Sequence, residues 1–237
     1  MMISSIFFIF FLILSSSYAA VQDFCVADYT TPPSPTGYSC KNPSDVNVGN
    51  FCVVDYTAPP SPAGYSCKNP SDVKVDDFVY SGLGVPGNSS NINKFGLKTA
   101  FVAQFPGLNG LGISLARGDL EVGGVSPMHS HRGASETILI AEGKVISGFI
   151  ASDNKAYVKT LKTGDIMVLP QGLLHFQVNA GDTPALIFAS FNSDNPGVQV
   201  LETALFQNDL RTELIAQTTL LDTAEIKKLK GLLGGTN

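Results

Sequence analysis

Between residues 100 and 191 the chain is a run of short apolar stretches, each closed by Gly, Pro, Asn or Asp, at a spacing near ten residues. These stretches are Leu111–Leu115, Thr137–Ala141, Val145–Ile150, Tyr157–Leu161, Ile166–Leu169, Leu174–Val178 and Ala185–Phe191. None is long enough to bury a helical stripe, which takes about 10–12 residues, but each suits a strand. Turn signals such as Gly164-Asp165 and Ala180-Gly181-Asp182 separate them. The pattern predicts an all-β fold, an antiparallel sandwich or barrel. After Pro196-Gly197 the periodicity becomes helical, over Thr203–Gln217 and Asp222–Leu233. Asp222-x-x-Glu225 resembles a capping box, and Lys227, Lys228 and Lys230 suit the C-terminal half of a helix. The expected organisation is a barrel over 77–200 and an α-helical extension over 201–237.

The N-terminal part has a different character. No charged side chain precedes Asp23, and Ile6–Leu14 is an apolar run of nine residues followed by small residues. A bilayer needs about 20 apolar residues, so the run is too short to span one. Ser17 and Ala19 fit the −3 and −1 positions of a cleavage site, which predicts a signal peptide over 1–19 and a secreted mature chain without a transmembrane span. Segment 20–76 holds all four cysteines and an internal duplication: residues 24–49 recur as 51–76 with 21 of 26 positions identical. Four cysteines in a secreted chain read as disulfides with three pairings open. Cys25–Cys40 and Cys52–Cys67 are favoured, because each closes a short loop within one copy. Only the second copy runs directly into the barrel, so the first is expected to form a separate appendage. Asn88-Ser89-Ser90 is an N-glycosylation sequon in a Gly/Asn/Ser-rich loop. A net charge of −5 argues against a nucleic-acid partner, and 44% hydrophobic residues argue against disorder.

The chain has three histidines, His129, His131 and His175. On a strand, the i, i+2 spacing of the first two puts both rings on one face. Glu136 follows after Arg132-Gly133, where the chain can turn. In Leu174-His175-Phe176-Gln177-Val178, His175 and Gln177 share one face and the apolar residues the other. Three neutral imidazoles and one carboxylate suit a divalent transition metal and leave positions open for substrate or water.

At these residues the chain resembles a known family. Gly123-x5-His129-x-His131-x4-Glu136-x6-Gly143 matches the first cupin box, and Gly164-x5-Pro170-x-Gly172-x2-His175-x3-Asn179 the second. From Phe51 onward the chain is similar to the germin-like proteins, secreted plant cupins. It is most similar to the branch named auxin-binding proteins, through FVAQFPGLNGLGIS and PQGLLHFQVN. The resemblance implies a jelly-roll cupin barrel, Mn held by His129, His131, Glu136 and His175, a Cys52–Cys67 disulfide, a homo-oligomer of dimers arranged into a hexamer, and a place in the apoplast or cell wall. It also implies three readings of function: a superoxide dismutase, a binding protein or receptor for an auxin-like carboxylate, and a non-catalytic wall or storage cupin. Oxalate-oxidising germins share Asn109, a candidate ligand contact. They carry a second Asn, which helps hold oxalate, where this chain has Ser126, and that argues against oxalate oxidation. Arg117-Gly118-Asp119 matches a cell-adhesion tripeptide, but reads more simply as a strand leading into a turn.

Overall fold

The computed structural model describes residues 52–60 and 64–237. The expected signal peptide, the first repeat copy and the expected Cys25–Cys40 pairing lie outside the described residues.

The strands are β1 Phe95–Ala100, β2 Ser114–Leu120, β3 Val125–Ser130, β4 Glu136–Glu142, β5 Lys144–Ile150, β6 Ala156–Lys162, β7 Ile166–Leu169, β8 His175–Asn179, β9 Ala185–Phe191 and β10 Gln199–Val200. They form two antiparallel five-stranded sheets, β1-β2-β9-β4-β7 and β10-β3-β8-β5-β6. From β2 onward the chain changes sheet at nearly every connection, staying within one only for the β5–β6 hairpin, which is the weave of a jelly-roll barrel. Gly143 makes the one-residue corner between β4 and β5 at φ +84°, and a Cβ there would lie 2.8 Å from the Ala185 Cβ. Only glycine meets both demands.

Alternation fills the barrel. On β2, β4 and β9 the inward positions include Ala116, Leu120, Ile138, Ile140, Ile187 and Phe191, all buried in one core cluster. Burying each larger aliphatic or aromatic side chain contributes roughly 1.5–3 kcal/mol. On β8 the alternation is inverted in chemistry. His175, Gln177 and Asn179 are buried, while Phe176 and Val178 are only half-buried. The polar face of this strand therefore looks into the barrel. Asn179 closes the far end of β8: its Nδ2 donates to the Leu120, Glu121 and Thr183 carbonyls, and its Oδ1 accepts from Gly181 N.

Three local expectations change. The apolar stretch Leu111–Leu115 straddles the start of β2, which runs on to Leu120, and Leu111 and Ile113 are exposed. The helix expected over Thr203–Gln217 is two helices, α1 Leu201–Phe206 and α2 Thr212–Thr219. Asn208 breaks it, its Oδ1 accepting from Leu210 N in a local turn. In α3, Thr223–Leu233, Asp222 caps the first turn by accepting from Ala224 N and Glu225 N. Lys230, however, turns inward rather than outward. It is 3% exposed and donates to the Asn208 and Thr236 carbonyls.

The second repeat copy docks on the barrel. Cys52 and Cys67 form a disulfide, Val53 and Val54 are fully buried, Val54 N donates to Pro106 O, and Tyr56 Oη donates to Val102 O. Phe51–Asn237 forms one compact unit. Among the described residues, no helix is long and apolar enough to cross a membrane.

Candidate metal centre

Both sheets contribute to one buried cluster. β3 ends at His129-Ser130, and His131 follows just past the strand, so the second imidazole is not aimed by strand pleat alone. β3 is irregular between Ser126 and His129, and this brings His129 opposite His175, the first residue of β8. Glu136 opens β4 in the other sheet, opposite Phe191 and Leu169. One ligand atom from each of His129, His131, Glu136 and His175 lies within 4.8 Å of the others, and all four residues are buried. Glu136 Oε2 is 3.1 Å from His175 Nε2 and 3.2 Å from His131 Nε2.

The other ring nitrogens orient the rings. The Nδ1 atoms of His129, His131 and His175 face the carbonyl oxygens of Pro127, Gly197 and Leu173. A carbonyl only accepts, so each Nδ1 carries a proton, which leaves Nε2 as the nitrogen through which each ring would meet a metal. Electrostatics agree. Burial, and then the neighbouring His175, lower the His129 pKa to about 4, so its ring stays neutral. Burial alone would raise the Glu136 pKa, but hydrogen bonds from His131 and His175 outweigh it and lower the pKa to about 2. Three imidazoles and an ionised carboxylate that converge in this way fit a divalent transition metal, which binds imidazole in its neutral form.

The cluster opens onto a cavity of about 330 Å³. Its walls are largely apolar, with Phe95, Leu97, Phe101, Ile187 and Phe191 among them. Gln177 also lines it, 4% exposed, and its Nε2 has no hydrogen-bond partner. Sequence reasoning placed Gln177 on the His175 face without giving it a role; the i, i+2 spacing from a candidate ligand was the available signal. Ser126 is paired with Gln177 across β3 and β8 and lines the same cavity.

The remaining candidates lie elsewhere. Within one chain Asn109 is not part of the cavity wall; its Nδ2 donates to Cys52 Sγ at 2.9 Å. Asn88 is exposed and its Oδ1 accepts from Ser90 N, leaving the sequon accessible. Arg117 and Asp119 sit inside β2, paired with each other at 2.7 Å, so the tripeptide is no exposed adhesion loop.

Comparison with known proteins is consistent with this geometry. The family described as Cupin matches residues 81–227. The chain is 61% identical over 236 residues to an auxin-binding protein of Prunus persica, covering 100% of both chains. It is 54% identical over 235 residues to a germin-like protein of Morus alba, covering 99% of this chain and 100% of that one. A solved structure of recombinant oxalate oxidase in complex with glycolate is 34% identical, with a TM-score of 0.75 over 78% of this chain and 94% of that chain.

Proposed function

The chain belongs to the cupin family, as one of its germin-like members, and from that premise we propose that it is a secreted manganese cupin that dismutates superoxide. The observation that carries this reading is the convergence of three buried histidines and one carboxylate beside a cavity that His129, His131 and Glu136 line. His129, His131, Glu136 and His175 would hold the metal. When bound, it supplies the change of oxidation state that dismutation requires. The side chains around it do the rest. Glu136 offsets part of the cation's charge. The carbonyl-anchored imidazoles keep the donors fixed. Gln177 presents an unpartnered N–H to an incoming oxygen atom, and the apolar walls limit access of bulk water. Oxalate oxidation is not part of the proposal: Ser126 offers only a short hydroxyl to the cavity, and Asn109 is engaged with Cys52.

His and carboxylate donors accept manganese, iron and zinc alike, so manganese rests on the family. The test is metal analysis and dismutase assay of protein from its native source. Stoichiometric manganese with activity above that of the free ion is expected, and bound manganese with no such activity would overturn the enzyme reading. The Cys52–Cys67 disulfide and the exposed sequon support an oxidising, extracellular location, the apoplast or cell wall. Exposed apolar residues on β7, Ile166 and Val168, support a homo-oligomer, for which a hexamer is the proposed state; the mass in solution tests it.

The apolar cavity favours a second reading, in which an auxin-like carboxylate meets the metal while its ring packs on Phe95 and Phe101. Calorimetry with indole-3-acetic acid on metal-loaded protein and on His175→Ala decides it. Equal affinity in both excludes metal-mediated binding.

A further inference from the structure

The C-terminal segment does more than follow the barrel. β10 pairs with β3 so that Val200 lies opposite His129, and the Gly197 carbonyl anchors the His131 ring. Just beyond, Glu202 and Thr203 in the first turn of α1 line the same cavity as His129, His131 and Glu136. Glu202 is half-buried, and among the described residues it has no ion-pair partner. Of the residues lining the cavity, only Glu136 and Glu202 are acidic, and no Lys or Arg is present.

This charge count has a consequence for what can bind. A divalent cation held by the His/Glu set, with Glu136 and Glu202, brings the formal charge of the cavity to zero. Without Glu202 the same cavity would be positive. Within largely apolar walls, charges interact more strongly than in water. A singly charged anion then leaves the cavity one charge negative, while a doubly charged one leaves it two charges negative with no cation to offset the excess. We infer that Glu202 is a specificity-determining residue of the metal cavity, a charge gate that favours neutral and singly charged ligands over dianions. The inference rests on the metal reading above but not on dismutation. It narrows the ligand class to neutral molecules and small monoanions such as monocarboxylates.

The experiment compares full-length wild type with Glu202→Gln, both loaded with manganese and checked for metal content. Affinities for acetate, malonate and imidazole are read from perturbation of the manganese magnetic resonance signal, near pH 8, where imidazole is mostly neutral. Coulomb energy scales with ligand charge, so the dianion's gain should be the square of the monoanion's: about threefold for acetate and about tenfold for malonate. Imidazole affinity should not change. Chelation by malonate cancels, because each ligand is compared with itself in the two proteins. Raising the salt should shrink both gains. Glu202→Lys serves as a second variant and should move both anions further in the same direction. Equal anion affinities in metal-loaded wild type and both variants would overturn the charge gate alone. A chain that takes up no metal would overturn the metal reading and the gate with it.

Discussion

At the scale of single residues, the site is built by opposing effects that happen to agree about acid. The folded-state pKa of His129 is about 4 against an ordinary 6.5, so between those values the unfolded chain binds a proton that the folded one does not. Stability therefore falls as the pH drops below about 6.5, and that loss is complete near 4. The Glu136 pKa is about 2 against 4.5, so its contribution is present above 4.5 and is lost as the pH falls towards 2. Metal-stripped protein is expected to lose stability steadily from neutral pH into acid, read as a falling urea midpoint; a midpoint flat between pH 7 and pH 4 would contradict the assignment. Gln177 gives a second residue-level prediction. A buried donor without a partner costs about 1–3 kcal/mol. Gln177→Leu should therefore leave the urea midpoint of metal-free protein unchanged or raised, while acetate binding to the loaded protein weakens several-fold. A lowered midpoint would show that the amide serves the fold instead.

At the scale of elements, the helical extension depends on one buried cation. Lys230 Nζ joins the Asn208 carbonyl, which follows α1, to the Thr236 carbonyl, which follows α3. Hydrogen bonds from charged donors are worth about 1.5–3 kcal/mol. Lys230→Met keeps the aliphatic stem and removes them. Local opening of α3 should become easier by about 2 kcal/mol, roughly thirtyfold in amide protection, with the β9 amides unaffected. Uniform loss of protection in both would mean that the extension and barrel unfold together. The sequence showed Lys230 as one of three lysines suited to a helix end, and their spacing alone could not tell the buried one from the solvated two. The Asn208 break was hidden for a related reason: the helical period continues across it, and only the docking of α1, α2 and α3 on Phe206, Ile215 and Ile226 shows that the segments pack separately.

At the scale of the whole molecule, the second repeat copy supplies Val53, Val54 and a disulfide to the barrel's flank. The same docking surface cannot hold two near-identical copies at once. Deleting residues 24–49 should leave the thermal midpoint and the bound metal unchanged; a loss of several degrees, or of metal, would show that the first copy is integrated. Strand content, the barrel class and all four candidate ligands were legible in the sequence. Period-two alternation, glycine corners such as Gly143 and short-range spacing such as His129-x-His131 are local properties, and local properties are written in order along the chain. Convergence was not legible in that way. The three histidines lie on or beside one sheet and Glu136 opens a strand of the other, so only closure of the barrel brings the His175 and Glu136 side chains to 3.1 Å. The same holds for Gln177, whose isolation depends on what surrounds it, and for Glu202, which reaches the cavity because β10 returns to pair beside His129. The sequence by itself determined which chemistry was available and, for residues inside a strand such as His175 and Gln177, on which face it would stand. Tertiary structure decided which groups meet and which stay unpaired, because burial and long-range contact are properties of the packed chain and not of any segment in it.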